Sequence, residues 1–230
     1  MIAQHEELRV NYKLGAADQV AASFSNQRIG EIIMSSEEHE VVSIYPFNEA
    51  SREDLLNQAR ECTFNWSTKD GWPVGVIHAF VWRNGSGWIT CGVHRHRVAA
   101  IKRDPRCSVV VSGVSAPNGP NGAITFKGRA VIHDDEETKE WFYPALARGP
   151  YTGMEGDLTA EQEAQAKAFE ERLDSPLRII IEIIPEKWIM LDSDKMAKDT
   201  AGQLAEEERG PKLEADSKRM PAELDKRGIS

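Results

Sequence analysis

His94, Arg95, His96 and Arg97 are consecutive, and Lys102, Arg103 and Arg106 follow closely. Between residues 94 and 106 five Arg and Lys side chains stand against one acid, Asp104, in a chain of 230 residues with formal net charge −9. Positive charge concentrated where a strand gives way to a helix start suits an anion, most often a phosphate. Arg97 is the leading candidate, because a guanidinium fork matches phosphate oxygens and stays charged. His96 donates a hydrogen bond when neutral and adds charge when protonated. Arg95 is a further candidate, while Lys102 and Arg103 read as an exposed helix face, with Lys102 the candidate to reach the same anion. The competing reading is a solvated turn, which is what charge runs usually are.

Other side chains with chemistry are sparser. Thr90 offers a hydroxyl at the end of a strand, or is an ordinary β-branched strand residue. Cys91, next to it, would need an activating base to act as a nucleophile and reads better as a packing residue. His78 sits mid-strand between Ile77 and Ala79; it reads as a core or interface histidine, with a substrate or haem contact as the sharper alternative. The six histidines (5, 39, 78, 94, 96, 133) are scattered without HxxxH or HExxH, so no metal site is expected. The glycine-rich stretches NGSG and PNGPNG are turns, and neither a Walker sequence nor GxGxxG occurs.

Composition narrows the classes. A pI of about 5.3 argues against nucleic acid and against an anionic membrane surface as the main partner. No apolar run approaches the roughly 18 residues of a spanning helix. The first ten residues lack the basic start and apolar core of a signal peptide. Three cysteines (62, 91, 107) without CxxC spacing fit a reducing compartment, so a cytoplasmic protein is expected.

The elements that must position these residues are mostly strands. Residues 62–68, 74–82, 88–91, 107–114, 123–133 and 177–184 read as six strands, separated by turn signals such as Asp70-Gly71 and Asn84-Gly85. Gly128 marks a bulge or a close approach, Pro185 ends the sixth strand, and residues 188–191 extend the β structure. A short helix lies between the third and fourth strands. Further helices are expected from a capping box at 51–54 to about residue 60 with Leu55, Leu56 and Ala59 inward, over 136–146, and from Thr159 to about 173 with Ala164, Ala168 and Phe169 on its better face. A short helix at 18–24 and a strand at 40–45 are also expected. The fold class is mainly β with flanking helices: a six-stranded antiparallel barrel. Residues 1–45 form an N-terminal arm, 46–197 the barrel domain, and 198–230 a charged tail that is partly helical or disordered.

This order of pieces resembles the flavin-binding split β-barrel, the pyridoxamine 5'-phosphate oxidase-like superfamily with its deazaflavin-dependent branch. The residues that carry the resemblance are Asp70-Gly-Trp-Pro73, Phe80-Val-Trp82, Trp88-Ile-Thr-Cys91, the run from His96 through Asp104-Pro105 into Cys107-Ser-Val-Val-Val111, Phe126-Lys-Gly-Arg-Ala130 and Ile184-Pro-Glu-Lys-Trp188. It implies a six-stranded split barrel of the FMN-binding type, homodimeric, with cofactor sites at the subunit interface. His96 and Arg97 match the family's paired basic residues that hold the cofactor phosphate. Thr90 would lie under the ribityl and phosphate, and the strand with Val76, Ile77 and His78 would offer backbone groups to the ring.

Three departures matter. Val76 and Val81 stand where the oxidase has further cations, His96 replaces the first arginine of the pair, and Ala123 falls near a glutamine that touches the ring. The resemblance therefore implies an FMN-dependent oxidoreductase acting on a small organic substrate rather than the oxidase itself. The alternatives are use of the deazaflavin coenzyme F-420, where Lys102, Arg103 and Arg106 would matter more for its longer acidic tail, and a haem- or flavin-binding carrier or sensor without turnover, built around His78 or His94. Trp141, Tyr143 and Tyr151 lie in a segment that varies among family members and is a candidate for substrate selection.

Overall fold

The structure, a computed structural model, describes residues 41–116, 118–151 and 156–229. The helix expected at 18–24 lies outside them. The first described helix, α1 (Glu49–Gln58), is capped by Asn48, whose side chain accepts from Ser51 N at 2.8 Å. The cap thus lies ahead of the expected box at 51–54, because the asparagine carbonyl closes the first turn. Leu55 and Leu56 are fully buried, with Ala59 beside them. Residues Val42–Ile44, expected as a strand, form a single 3-10 turn. The carbonyls of Ile44 and Tyr45 accept single hydrogen bonds from Gly210 and Asp192 instead of entering a strand ladder.

Seven strands follow where six were expected: β1 (Glu61–Ser67), β2 (Pro73–Ala79), β3 (Val81–Arg83), β4 (Ser86–Gly92), β5 (Arg106–Ser112), β6 (Gly122–His133) and β7 (Arg178–Asp192). They form one antiparallel sheet in the order β2-β1-β5-β6-β7-β4-β3. The additional strand arises at Phe80, where the run 74–82 breaks. Ala79 still pairs with Glu61 of β1, whereas Val81 pairs with Trp88 of β4. Phe80 itself donates its N–H to Arg60 O and buries its ring. The two outermost strands of the sheet are therefore one residue apart in the chain. The sheet curls into a half-barrel whose edges meet covalently at Phe80 instead of closing through a ladder.

Turn chemistry sets the registers. Asn84 and Gly85, at φ 54° and 76°, make the two-residue β3–β4 reversal that the Asn-Gly pair predicts. Gly128 faces a register shift against β7, and Glu186 is the extra residue on that strand. Pro185 lies at this bulge, where a missing N–H costs nothing, so β7 continues through it to Asp192 instead of ending.

Among the described residues, four α-helices complete the scaffold before the C-terminal segment: α1, α2 (His96–Arg103), α3 (Glu136–Arg148) and α4 (Ala160–Leu173). Thr159 and Gln162 form a reciprocal capping box for α4. Its buried residues are Ala166 and Leu173, while Ala164, Ala168 and Phe169 face outward. A seven-residue spacing aligns that pair on one stripe, and the expected trio misses it. Beyond β7 come α5 (Ser193–Thr200) and α6 (Met220–Arg227). This segment folds back on residues 41–47: Asp199 accepts from Tyr45 Oη at 2.7 Å and pairs with Arg209 at 2.6 Å, and Ser43 Oγ donates to Asp216. The core inside the curl holds Phe64, Ile89, Val109, Phe126 and Ile181 with Leu55 and Leu56 of α1 and Val98 and Ile101 of α2. A second cluster, including Trp88, Phe142, Leu146 and Ile180, joins α3 and α4 to the outer face of the sheet. No helix among the described residues is long and apolar enough to cross a membrane.

Candidate functional site

β4 hands the chain to α2 through a turn in which Val93 N bonds Leu177 O and Arg95 N bonds Gly92 O. Arg95 is the N-cap of α2 and its side chain makes no capping bond. Val98, Ala100 and Ile101 are buried, and Arg103 Nη2 donates to Ser67 O at 2.8 Å, tying the far end of α2 to β1. This frame fixes where each cation of the 94–106 run points.

Arg97 points inward. Its Nη1 lies 2.7 Å from His78 Nε2, and its guanidinium stands 5.4 Å from the ring of Trp66, a cation–π contact. Its Nε is buried without a hydrogen-bond partner, and no acid among the described residues pairs with it. Burial, then the charge of Arg97, push His78 down to about 4, so the imidazole is neutral at physiological pH.

Two further guanidinium groups act on the same spot. Burial raises the Cys91 thiol, while Arg97, Arg178 and Arg95 all pull it back electrostatically. Arg178 opens β7 directly opposite Gly92, and its Nε is likewise buried without a partner. Arg178 was not legible as a site residue. The signal would have been the β4–β7 pairing, which places the arginine of the LRIII run beside the end of β4. The raised thiol is protonated at neutral pH, which fits Cys91 as a packing residue.

The other predicted residues separate into distinct roles. Thr90 Oγ1 donates to Ile179 O at 2.6 Å, so its proton is committed within the fold. His96 is the first residue of α2 and exposed, as is Lys102. Arg106 grips Asp104 at 2.6 Å and its hydrogen bonds hold that carboxyl down at about 2. His94 lies with its ring against Gly92. On the edge strand β2, Val76 and His78 turn toward the core while Ile77 is 66% exposed. Trp66 also lines a groove of about 450 Å³, together with Ser67, Pro73, Arg106, Lys127 and Lys187. That volume lies in the range of small-molecule sites.

The sequence profile of the pyridoxamine 5'-phosphate oxidase family matches residues 51–192, from α1 to the end of β7. The chain belongs to this family. Within the family frame the cationic cluster sits on the matched segment. Of the solved structures it resembles, the conserved hypothetical protein Rv2991 from Mycobacterium tuberculosis shares 18% identity at a TM-score of 0.53, over 67% of this chain and 91% of that one. That likeness is one of fold. An F-420 reductase aligns at 22% identity and a TM-score of 0.41, over 59% of this chain and 94% of the other. An FAD-binding protein from Mesorhizobium loti aligns at 15% identity and a TM-score of 0.42, over 62% and 92%. None of the curated proteins matches this chain.

Proposed function

We propose that this member of the pyridoxamine 5'-phosphate oxidase family is an FMN-dependent oxidoreductase acting on a small organic substrate. The observation that carries the reading is Arg97: a half-buried cation with an orphaned Nε, no acidic partner among the described residues, and Arg178 and Arg95 beside it. Burying such charge is costly unless an anion meets it, and a phosphate supplies acceptors for all three guanidinium groups. The flavin, when bound, would supply the hydride and electron chemistry. Arg97 and Arg178 would hold its phosphate, Arg95 would add charge at the rim, and His78 would fix the orientation of Arg97. The reading takes 46–197 as the cofactor-binding domain, with 1–45 and 198–230 as appendages. It also takes the protein as a homodimer, supported by the outward face of β2, where Ile77 stands exposed.

FMN is favoured over the deazaflavin coenzyme by a specific observation. Of the three cations that a longer acidic tail would call upon, Arg103 is bound to Ser67 and Arg106 to Asp104, which leaves Lys102. A haem reading centred on His78 would require that ring to give up Arg97.

The test is titration of the purified protein with FMN and, in parallel, with coenzyme F-420, followed by flavin fluorescence and visible absorbance. FMN binding that weakens on Arg97→Ala by about 1.5–3 kcal/mol, the scale of a charged hydrogen bond, is the expected result. Failure to bind either coenzyme overturns the proposal.

A further inference from the structure

A second site of opposite charge lies between α3 and α4. A pocket of about 240 Å³ is lined by Glu136, Glu140, Glu170, Glu171 and Asp174, with Lys139 and Tyr143. Glu136 is neutralised by Lys139 at 2.6 Å, and Glu170 lies 3.7 Å from Arg148. Glu140, Glu171 and Asp174 form no salt bridge among the described residues. The second, independent observation is Tyr143. It is 5% exposed and lines this pocket, and its hydroxyl is buried without a hydrogen-bond partner. A buried phenol oxygen left unpaired costs about 1–3 kcal/mol, and here it belongs to a residue set among the carboxylates of the pocket.

We infer that this pocket binds a short aliphatic diamine or polyamine, with one ammonium group donating to Tyr143 Oη and its positive charges met by Glu140, Glu171 and Asp174. The class follows from the chemistry of the lining. The carboxylates call for a cation, and among the described residues no three ligating side chains converge as a metal ion requires. The acids are divided between two helices, which suits charges separated along a chain rather than one point charge. Lys139 already holds Glu136 at 2.6 Å and acts on Asp174 only through its charge, with no ion pair between them. Arg178 lies within electrostatic reach of both Tyr143 and Cys91, so the site adjoins the anion cluster without sharing its ligand.

The experiment is isothermal titration of the full chain with putrescine at physiological ionic strength, with magnesium chloride as a second titrant. Saturable putrescine binding is expected, weakened about tenfold or more by the Glu171→Gln, Asp174→Asn double variant. Tyr143→Phe gives the sharper readout. Removing an unpaired hydroxyl leaves the unliganded melting temperature unchanged or raises it, while putrescine affinity falls several-fold. Spermidine and putrescine should share the site in competition. Absence of putrescine binding overturns the inference. So does binding that magnesium matches, which would mark a diffuse acidic surface, or binding indifferent to these substitutions. None of these outcomes depends on whether FMN binds.

Discussion

Arg97 donates from Nη1 to Nε2 of His78 across 2.7 Å, joining the start of α2 to the edge strand β2. A guanidinium has only donors, so Nε2 must accept, and the imidazole carries its proton on Nδ1. The consequence is electrostatic. A carboxylate in the same place would cancel the charge of Arg97, whereas a neutral imidazole orients the fork and leaves the charge whole. His78 therefore serves the site by positioning its cation, which differs from each role its place in the sequence suggests.

This arrangement predicts a pH dependence. His78 is held at about 4 by burial and by Arg97, against 6.5 for the free side chain. Above 6.5 the ring is neutral in both folded and unfolded chains and contributes no pH slope. As pH falls from 6.5 toward 4, the unfolded chain takes up a proton that the folded one refuses, so stability is lost across that window. Full conversion of the shift would give about 3 kcal/mol. Screening at a half-buried ring reduces this to about 1–2 kcal/mol. Urea unfolding of wild type and His78→Gln at a series of pH values between 7 and 4 checks it. The stability difference between the two should shrink as pH falls.

A second prediction concerns the anion alone. Inorganic phosphate should stabilise the apo protein by about 2.7 kcal/mol at a hundred times its dissociation constant, visible as a rise of several degrees in melting temperature. Arg97→Ala should abolish most of the rise, and Arg97→Lys should restore only part, because a point charge does not reproduce the fork. Matched sodium chloride controls separate binding from screening. An equal phosphate response in wild type and Arg97→Ala would move the anion elsewhere.

The sequence made the strands, their turns and the location of the basic segment legible, because each has a local signature: β-branched runs, Asn84-Gly85, Asp70-Gly71, and charge density between 94 and 106. It did not reveal that the run 74–82 divides at Phe80, since nothing local distinguishes one strand shared by two edges from one continuous strand. Arg178 escaped for the same reason. Its role depends on the β4–β7 pairing, a long-range contact that no short window encodes. Lys102, Arg103 and Arg106 looked equivalent as charges. The fold separates them by committing Arg103 to Ser67 O and Arg106 to Asp104.

Gly128 supplies a third test. A Cβ there would stand 2.2 Å from Ile184 O, a backbone atom that cannot move without disturbing the β6–β7 ladder. Gly128→Ala should therefore destabilise the protein by about 1–3 kcal/mol or more, the cost of overpacking against fixed atoms. Gly149→Ala, where a Cβ meets nothing within 4 Å, is the matched control and should be near neutral. Chemical denaturation of both variants measures the contrast.

The last prediction addresses the joint between the sheet edges. Phe80 is 2% exposed, and it is the single residue between β2 and β3. Its ring lies over Gly87, where a Cβ would come within 2.8 Å, and against Trp82 at 6.4 Å between centroids. Truncation to alanine removes the side chain that fills the corner and leaves a cavity that backbone from two sides cannot collapse. The expected loss is about 3–5 kcal/mol, in the range of buried aromatic truncations. The effect should extend beyond stability. β2 carries His78, so loosening the corner should reduce protection of the β2 amides from hydrogen exchange and weaken phosphate binding at Arg97 in the same variant. Phe80→Leu, which keeps most of the volume, should recover a large part of both. If Phe80→Ala lowers stability while phosphate affinity in the folded fraction stays at the wild-type value, the corner does not govern the placement of His78 and Arg97.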